Sequence, residues 1–315
     1  MPSPRTRTIH RTEQRNPRSR GLDQLSTREL VRVIHREDAT VTRAMGRELP
    51  AISRAVEAIV RSLRSGGRLI YVGAGTSGRL AALDAAECPP TFGVPAWQVR
   101  AIVAGGKRAL TGAVEGAEDS AVRGERDLAA MRVTRHDAVV GLAASGTTPY
   151  VLAALRLARR RGAVTIGVTA NRRSPIARVA SITIAPDTGP ELIAGSTRMK
   201  AGTAQKLVLN TLSTAAFVRL GRVYNNWMVD VALTNRKLRE RGLRILREAT
   251  GASASQAARA LSQSGSRMRV ALVMLKTGAG AAEARRRLRQ AGGELRQALG
   301  EAPRARRPAK AMREK

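Results

Sequence analysis

Leu69-Ile70-Tyr71-Val72, running straight into Gly73-Ala74-Gly75-Thr76-Ser77-Gly78-Arg79, is the stretch that decides the fold. A short, uninterrupted apolar run reads as a strand buried on both faces. The glycines and hydroxyls behind it read as a tight loop opening a helix. The same kind of run recurs at Val99–Ala104, Ala138–Leu142, Val164–Val168 and Ile182–Ala185, with helical patterns between most of them. Short apolar strands alternating with helices predict a five-stranded parallel sheet covered on both sides, a doubly wound α/β domain over roughly residues 55–220.

Outward from that domain the patterns change. Residues 1–20 are basic, contain proline and lack periodicity, so a disordered tail is expected there. Residues 21–65 read as a helical segment. It opens on the capping box Ser26-Thr27-Arg28-Glu29 and is broken or restarted at Pro50. Beyond the sheet, Thr203–Leu220 reads as a long helix, and 221–249 as a connection that is helical from about Met228 to Ala249. Residues 250–300 read as a small domain of three helices, Ser253–Ser262, Arg267–Lys276 and Ala281–Leu299, punctuated by Gly265, Gly278 and Gly292-Gly293. A second basic tail covers 301–315, and no internal repeat is found.

Composition narrows the class. The chain has 315 residues, 43% of them hydrophobic but only 2% aromatic, so its core must be built from Ala, Val, Leu and Ile. A single cysteine, Cys88, excludes an intrachain disulfide framework and suits a reducing compartment. Met1-Pro2-Ser3-Pro4-Arg5 has no apolar stretch behind it, and no run approaches the roughly 18 apolar residues of a membrane helix. A soluble, cytoplasmic protein is expected.

The formal net charge of +32 raises the question of a nucleic-acid partner. Six arginines against Glu13 in residues 1–20, and six basic against two acidic residues in 301–315, account for only a minor part of it. The rest is spread through the body, without the interleaved aromatics that single-strand binders use for stacking. No dedicated nucleic-acid or membrane partner is expected, only non-specific attraction to polyanions.

Chemistry concentrates in three segments. Gly75, Thr76 and Ser77 lie in a loop where glycines let the backbone approach an anion and helix amides point at it. GAGTSG also fits a dinucleotide fingerprint formally. However, Pro89-Pro90 and Phe92 occupy the stretch where an acidic ribose ligand belongs. Ala143-Ala144-Ser145-Gly146-Thr147-Thr148-Pro149 repeats the hydroxyl-rich strand–helix turn. Two such loops at strand C-terminal ends describe a phosphate cradle with Ser145, Gly146 and Thr148 as ligands. The third segment, Gly189–Lys200, offers Ser196, Arg198 and Lys200 to an anion and Glu191 as a base, or as a plain helix cap. His10, His35 and His136 are isolated, and no acidic cluster suggests a metal.

These segments resemble the sugar isomerase (SIS) domain, which implies phosphosugar binding without nucleotide or metal cofactor. The likeness narrows further. Asp84–Gly93 (DAAECPPTFG), Ala113–Ser120 (AVEGAEDS), Gly141–Tyr150, Gly189–Leu209, Tyr224–Leu238 (YNNWMVDVALTNRKL) and the N-terminal Thr12–Pro17 (TEQRNP) with Leu25-Ser26-Thr27 resemble the N-acetylmuramic acid 6-phosphate etherases. The resemblance spans about residues 12–299. It implies Glu87 as the acid that protonates the departing lactate oxygen and Glu118 as the second catalytic carboxylate, with Glu115 its nearest rival. Without the resemblance, Glu115, Glu118 and Asp119 read as acids offsetting a helix start. Two positions depart from the pattern: Thr147 where arginine is expected, and His35 where asparagine is usual.

The implied reaction, in cell-wall amino-sugar recycling, makes sense of two carboxylates. An open-chain aldehyde at C1 acidifies the C2 proton, so the C3 lactyl ether can leave by β-elimination and water can add back. General acid and base groups each supply roughly 10²–10⁴-fold. Glu87 would have to hold its proton near neutrality, which a partly apolar setting beside Cys88-Pro89-Pro90 would favour. The resemblance also implies a homodimer with active sites near the subunit boundary. The competing class is a non-catalytic phosphosugar-sensing regulator, since glucokinase regulatory proteins are built from related domains. A transcriptional regulator would require an N-terminal helix-turn-helix that this sequence does not show.

Overall fold

All five residues of β1 (Leu69–Gly73) are buried, as the unbroken apolar run requires. The computed structural model describes residues 11–231, 233 and 235–301. β1 is followed by β2 (Val99–Val103), β3 (Ala138–Leu142), β4 (Val164–Val168) and β5 (Ile182–Ile184), all parallel, in the order β2-β1-β3-β4-β5. The winding therefore reverses between β1 and β3, and the crevice outside their C-terminal ends is where α/β sheets bind ligands. Gly73 pairs with Leu142 at those ends, so the loops that follow start side by side.

At the other end of the same two strands, Asp137 is almost fully buried. Its carboxylate accepts hydrogen bonds from the Arg68 N–H at 2.8 Å, the Arg68 guanidinium at 2.8 and 3.0 Å and the Thr134 N–H at 2.8 Å. Burial alone would push this carboxyl up. Arg68 and Thr134 outweigh it and hold it below the usual aspartate range.

Ser26 caps α1 (Thr27–Gly46) as expected, its hydroxyl accepting from the Glu29 N–H while the Glu29 carboxylate takes the Ser26 N–H at 3.0 Å. Pro50 lies in the first turn of α2 (Leu49–Arg64), which packs along β1, β3, β4 and β5. α3 (Gly75–Phe92) follows β1, and α4 (Ala121–Ala130) pairs with α5 (Pro149–Arg160). α5 covers Ile70, Val72 and Val139 with Val151 and Leu155. It approaches β3 closely because Gly141 has no Cβ, which would otherwise sit 2.7 Å from Leu155 Cδ1. α6 (Pro175–Val179) is a single short turn before β5, and α7 (Lys200–Arg219) follows β5.

Tyr71 alternates to the opposite side from Ile70, and its hydroxyl donates to Asp84 Oδ2 of α3 at 2.8 Å. Asp84 Oδ1 accepts from Asn210 Nδ2 and Ser213 Oγ of α7 at 2.7 and 3.2 Å. One buried carboxylate thus locks α3 and α7 together below their N-termini. Burial and then Asp84 push the neighbouring Cys88 thiol up to about 12, which makes it an inert packing residue.

The chain divides into two units, one running through Pro89 and resuming at Val94–Ala216, the other Pro90–Gly93 with Phe217 onward. The division falls within α3 and α7, and in the second unit Phe92 stacks on Phe217 at 4.7 Å. That unit holds the hairpin of β6 (Val223–Tyr224) and β7 (Trp227–Met228), then α8 (Arg236–Thr250), α9 (Ala254–Gln263), α10 (Met268–Thr277), α11 (Ala281–Gln290) and α12 (Leu295–Ala298). Its core is Val229, Leu246, Leu261, Leu272 and Val273 with their neighbours.

Three expectations need correction. Residues 11–13 and 17–19 form 3₁₀ turns and Asn16 is buried, so the second half of the expected tail is ordered; residues 1–10 and 302–315 lie outside the described residues. The stretch 221–249 is no connecting helix: it begins with the hairpin, and α8 packs on α9 and α10 as part of the second unit. The helix expected over Ala281–Leu299 is two, because Gly292 and Gly293 both take positive φ, +56° and +85°, where a helix cannot continue.

Candidate functional site

The first loop is shaped by close backbone approach. A Cβ on Gly73 would lie 2.7 Å from the Gly78 nitrogen, and one on Gly78 would lie 2.6 Å from Val103 Cγ1. Only glycine lets α3 begin one residue after β1. The N–H groups of Gly75, Thr76 and Ser77 have no acceptor among the described residues, while that of Gly78 reaches Ala74 O at 3.2 Å. Three amides without an acceptor among the described residues, at the positive end of an 18-residue helix, are chemically suited to meet an anion in a nest. Arg79 turns away from it, donating to the carbonyls of Ala109 and Gly112 at 2.9 and 2.7 Å.

The second loop lies beside the first. Gly146, at φ +72°, fits where a Cβ would come 2.1 Å from Ser174 Oγ. Ser145 Oγ lies 2.8 Å from Thr147 Oγ1 and accepts from the Thr147 N–H at 3.2 Å. The threonine standing at the unusual position 147 thus braces Ser145. Thr148 is the N-cap of α5, yet its side chain makes no capping bond among the described residues. Glu118 is tied to this loop through its backbone: its carbonyl accepts from the Tyr150 N–H at 3.0 Å, while its side chain is exposed. α4 begins only at Ala121 with Ser120 as N-cap, so Glu118 lies outside the helix it was suspected of offsetting.

The third segment meets both loops through α7. Ser77 Oγ, largely buried, donates to Gln205 Oε1 at 2.8 Å. Ala201 packs with Ala144 and Ala170, and Gly202 comes close enough to Thr76 that a Cβ would sit 3.4 Å from Thr76 Cγ2. Ser196 is half-buried in the turn before α7, its N–H donating to Ile193 O at 2.9 Å.

Glu191 is the helix cap rather than an open base. It is 1% exposed, and its two oxygens accept from the Lys200 and Ala201 N–H groups at 3.0 and 2.9 Å. Lys200 is equally buried, its ammonium 2.6 Å from Glu37 Oε2. Burial works against the Glu37 charge, but Lys200, Arg18 and Asn16 outweigh it and hold the carboxyl below its usual range. Asn16 also donates to Pro190 O at 3.2 Å, and Ser19 to Leu192 O at 2.8 Å, so the N-terminal segment straps the third segment in place.

Residues 51–159 match the model of the glucokinase regulatory protein N-terminal SIS domain, and residues 115–215 that of the SIS domain. A phosphoheptose isomerase structure from Francisella tularensis shares the fold, with a TM-score of 0.50 at 18% identity over 62% of this chain and 100% of that one. The N-acetylmuramic acid 6-phosphate etherases of Serratia proteamaculans and Geobacillus thermodenitrificans are 56% and 52% identical over 264 residues, 84% of this chain and 89% and 90% of theirs. The chain belongs to the N-acetylmuramic acid 6-phosphate etherase family.

In this etherase-family chain the structure brings Gly75, Thr76, Ser77, Ser145, Gly146, Thr148 and the Glu118 backbone to one end of the sheet. It does not bring Glu87 there. Glu87 lies twelve residues beyond Gly75 on the same helix, about 18 Å along its axis at 1.5 Å per residue. Its side chain is exposed, so the apolar setting expected for it is not formed within one chain. Gln205 and Glu37 escaped the sequence reading. Each is a polar residue inside an otherwise ordinary helical pattern, and only the tertiary partner distinguishes it.

Proposed function

We propose that this chain cleaves the D-lactyl ether of N-acetylmuramic acid 6-phosphate, giving N-acetylglucosamine 6-phosphate and D-lactate. The observation that carries the reading is the nest of three amides without an acceptor among the described residues, beside the Ser145–Thr148 hydroxyls, in a chain of the etherase family. The nest takes the 6-phosphate, with Ser77, Ser145 and Thr148 supplying hydroxyls. Glu118, tethered at the same loop, removes the C2 proton of the open-chain sugar. Glu87 protonates the lactyl oxygen as the C3–O bond breaks. Water then adds its hydroxyl to C3, and a proton returns to C2.

Glu87 lies further from the nest than a hexose 6-phosphate reaches from its phosphorus to C3. The acid therefore comes from a second copy, and the working unit is a homodimer acting in the cytoplasm. Joining two copies also encloses Glu87, supplying the shielding that a single chain lacks.

Incubation with N-acetylmuramic acid 6-phosphate should release lactate stoichiometrically with N-acetylglucosamine 6-phosphate. Tight binding of the phosphosugar with no lactate above background would replace the lyase with a phosphosugar sensor.

A further inference from the structure

Gln205 carries an unbalanced amide. Its Oε1 accepts the Ser77 hydroxyl proton at 2.8 Å, while its Nε2 is buried with no hydrogen-bond partner among the described residues. A shielded NH₂ with two unused hydrogens is a rare deficit in a folded interior. Ser77 meanwhile points its only proton away from the three amides of its own helix start.

Turning the carboxamide by 180° exchanges its oxygen and nitrogen at nearly the same positions. Nε2 then donates to Ser77 Oγ across the same 2.8 Å. The hydroxyl proton is freed to point at whatever occupies the nest, and the orphan becomes a carbonyl, which tolerates isolation better than an N–H.

Building on the phosphosugar reading, we infer that Gln205 is a positioning residue that sets the direction of the Ser77 proton. With the nest unoccupied, Ser77 donates to Gln205. When a phosphate oxygen enters, the amide turns, Gln205 donates to Ser77, and Ser77 donates to the phosphate. The chain Gln205 N–H to Ser77 O–H to phosphate is a two-bond relay ending on a charged acceptor, the arrangement in which each hydrogen bond strengthens the next.

The test is a double-mutant cycle read by calorimetric binding of N-acetylglucosamine 6-phosphate and of N-acetylglucosamine to the full-length protein. Ser77→Ala should weaken phosphosugar binding about ten- to a hundredfold. Gln205→Met, which keeps the shape but cannot donate, should weaken it by roughly three- to tenfold. The double variant should bind no more than about twofold worse than Ser77→Ala alone, because Gln205 acts only through Ser77. Affinity for the unphosphorylated sugar should stay unchanged throughout.

Gln205→Glu, which only accepts, is the second variant. It should erase most of the preference for the phosphorylated sugar even if Gln205→Met folds poorly. Losses that multiply in the double variant, or that fall equally on both sugars, would make Gln205 a packing residue and overturn the inference alone. A wild-type protein with no preference for the phosphorylated sugar would overturn the phosphosugar reading together with it.

Discussion

Mixing two inactive variants should restore activity if the acid of one copy serves the nest of the other. Glu118 is fixed to the second loop by the 3.0 Å bond between its carbonyl and the Tyr150 N–H, so in the proposed arrangement it works with the nest of its own chain. Glu87 is about 18 Å down α3 from that nest, at 1.5 Å per helical residue. Replacing either with glutamine keeps the shape and removes the proton chemistry, so each variant alone should lose at least about a hundredfold in lactate release.

In a dimer of one Glu87→Gln and one Glu118→Gln chain, one site carries both lesions and the other carries neither. Random pairing makes half the dimers mixed, each with one intact site of two, so about a quarter of wild-type activity should return. The assay is lactate release after unfolding the two variants together and refolding them, or after co-expression. A mixture no more active than its components, although mixed dimers are isolated by two affinity tags, would place both carboxylates in one chain's site. It would also refute the distance argument.

Ser145→Ala and Thr148→Ala should each weaken binding of the phosphorylated sugar about ten- to a hundredfold, with smaller losses for the sugar lacking phosphate; paired calorimetric titrations decide it. Gly146→Ala should lower the melting temperature by roughly 3–8 °C, because the residue sits at φ +72° with Ser174 Oγ 2.1 Å from the added carbon. Scanning calorimetry giving an unchanged transition would contradict that geometry. Asp137→Asn should cost about 3 kcal/mol or more, since it leaves Arg68 facing a neutral partner across the starts of β1 and β3. The pH dependence follows the same group. Its folded pKa is depressed, so its contribution is fully present above the ordinary aspartate value of about 3.9 and is lost as the pH falls through the lower folded value. Acid titrations of stability should therefore show a shallower acid limb in the Asn variant.

The sheet and the strand-to-helix junctions were legible in the sequence. Five apolar runs became five parallel strands, two of them with the same ends and the other three within one residue, because burial on both faces writes a continuous signal into a few adjacent positions. Gly73, Gly78 and Gly146 were legible as glycines of tight strand-to-helix junctions for the same local reason: a close approach or a positive φ admits little else. Hydrophobic periodicity was silent about the hairpin at Val223–Met228, whose two-residue strands are too short to show a period, and about the break at Gly292-Gly293 inside a helical pattern.

What the polar residues do depends on the packing of distant helices. Glu191 and Glu118 are both carboxylates in loops before helices, yet one is spent on the α7 amides and the other left exposed. Ser77 meets Gln205 across 128 positions of sequence, and Lys200 meets Glu37 across 163. Hydrogen bonding and charge pairing act over a few ångströms and take no account of sequence separation. The partner of a polar side chain is therefore set only when the helices that carry it are packed.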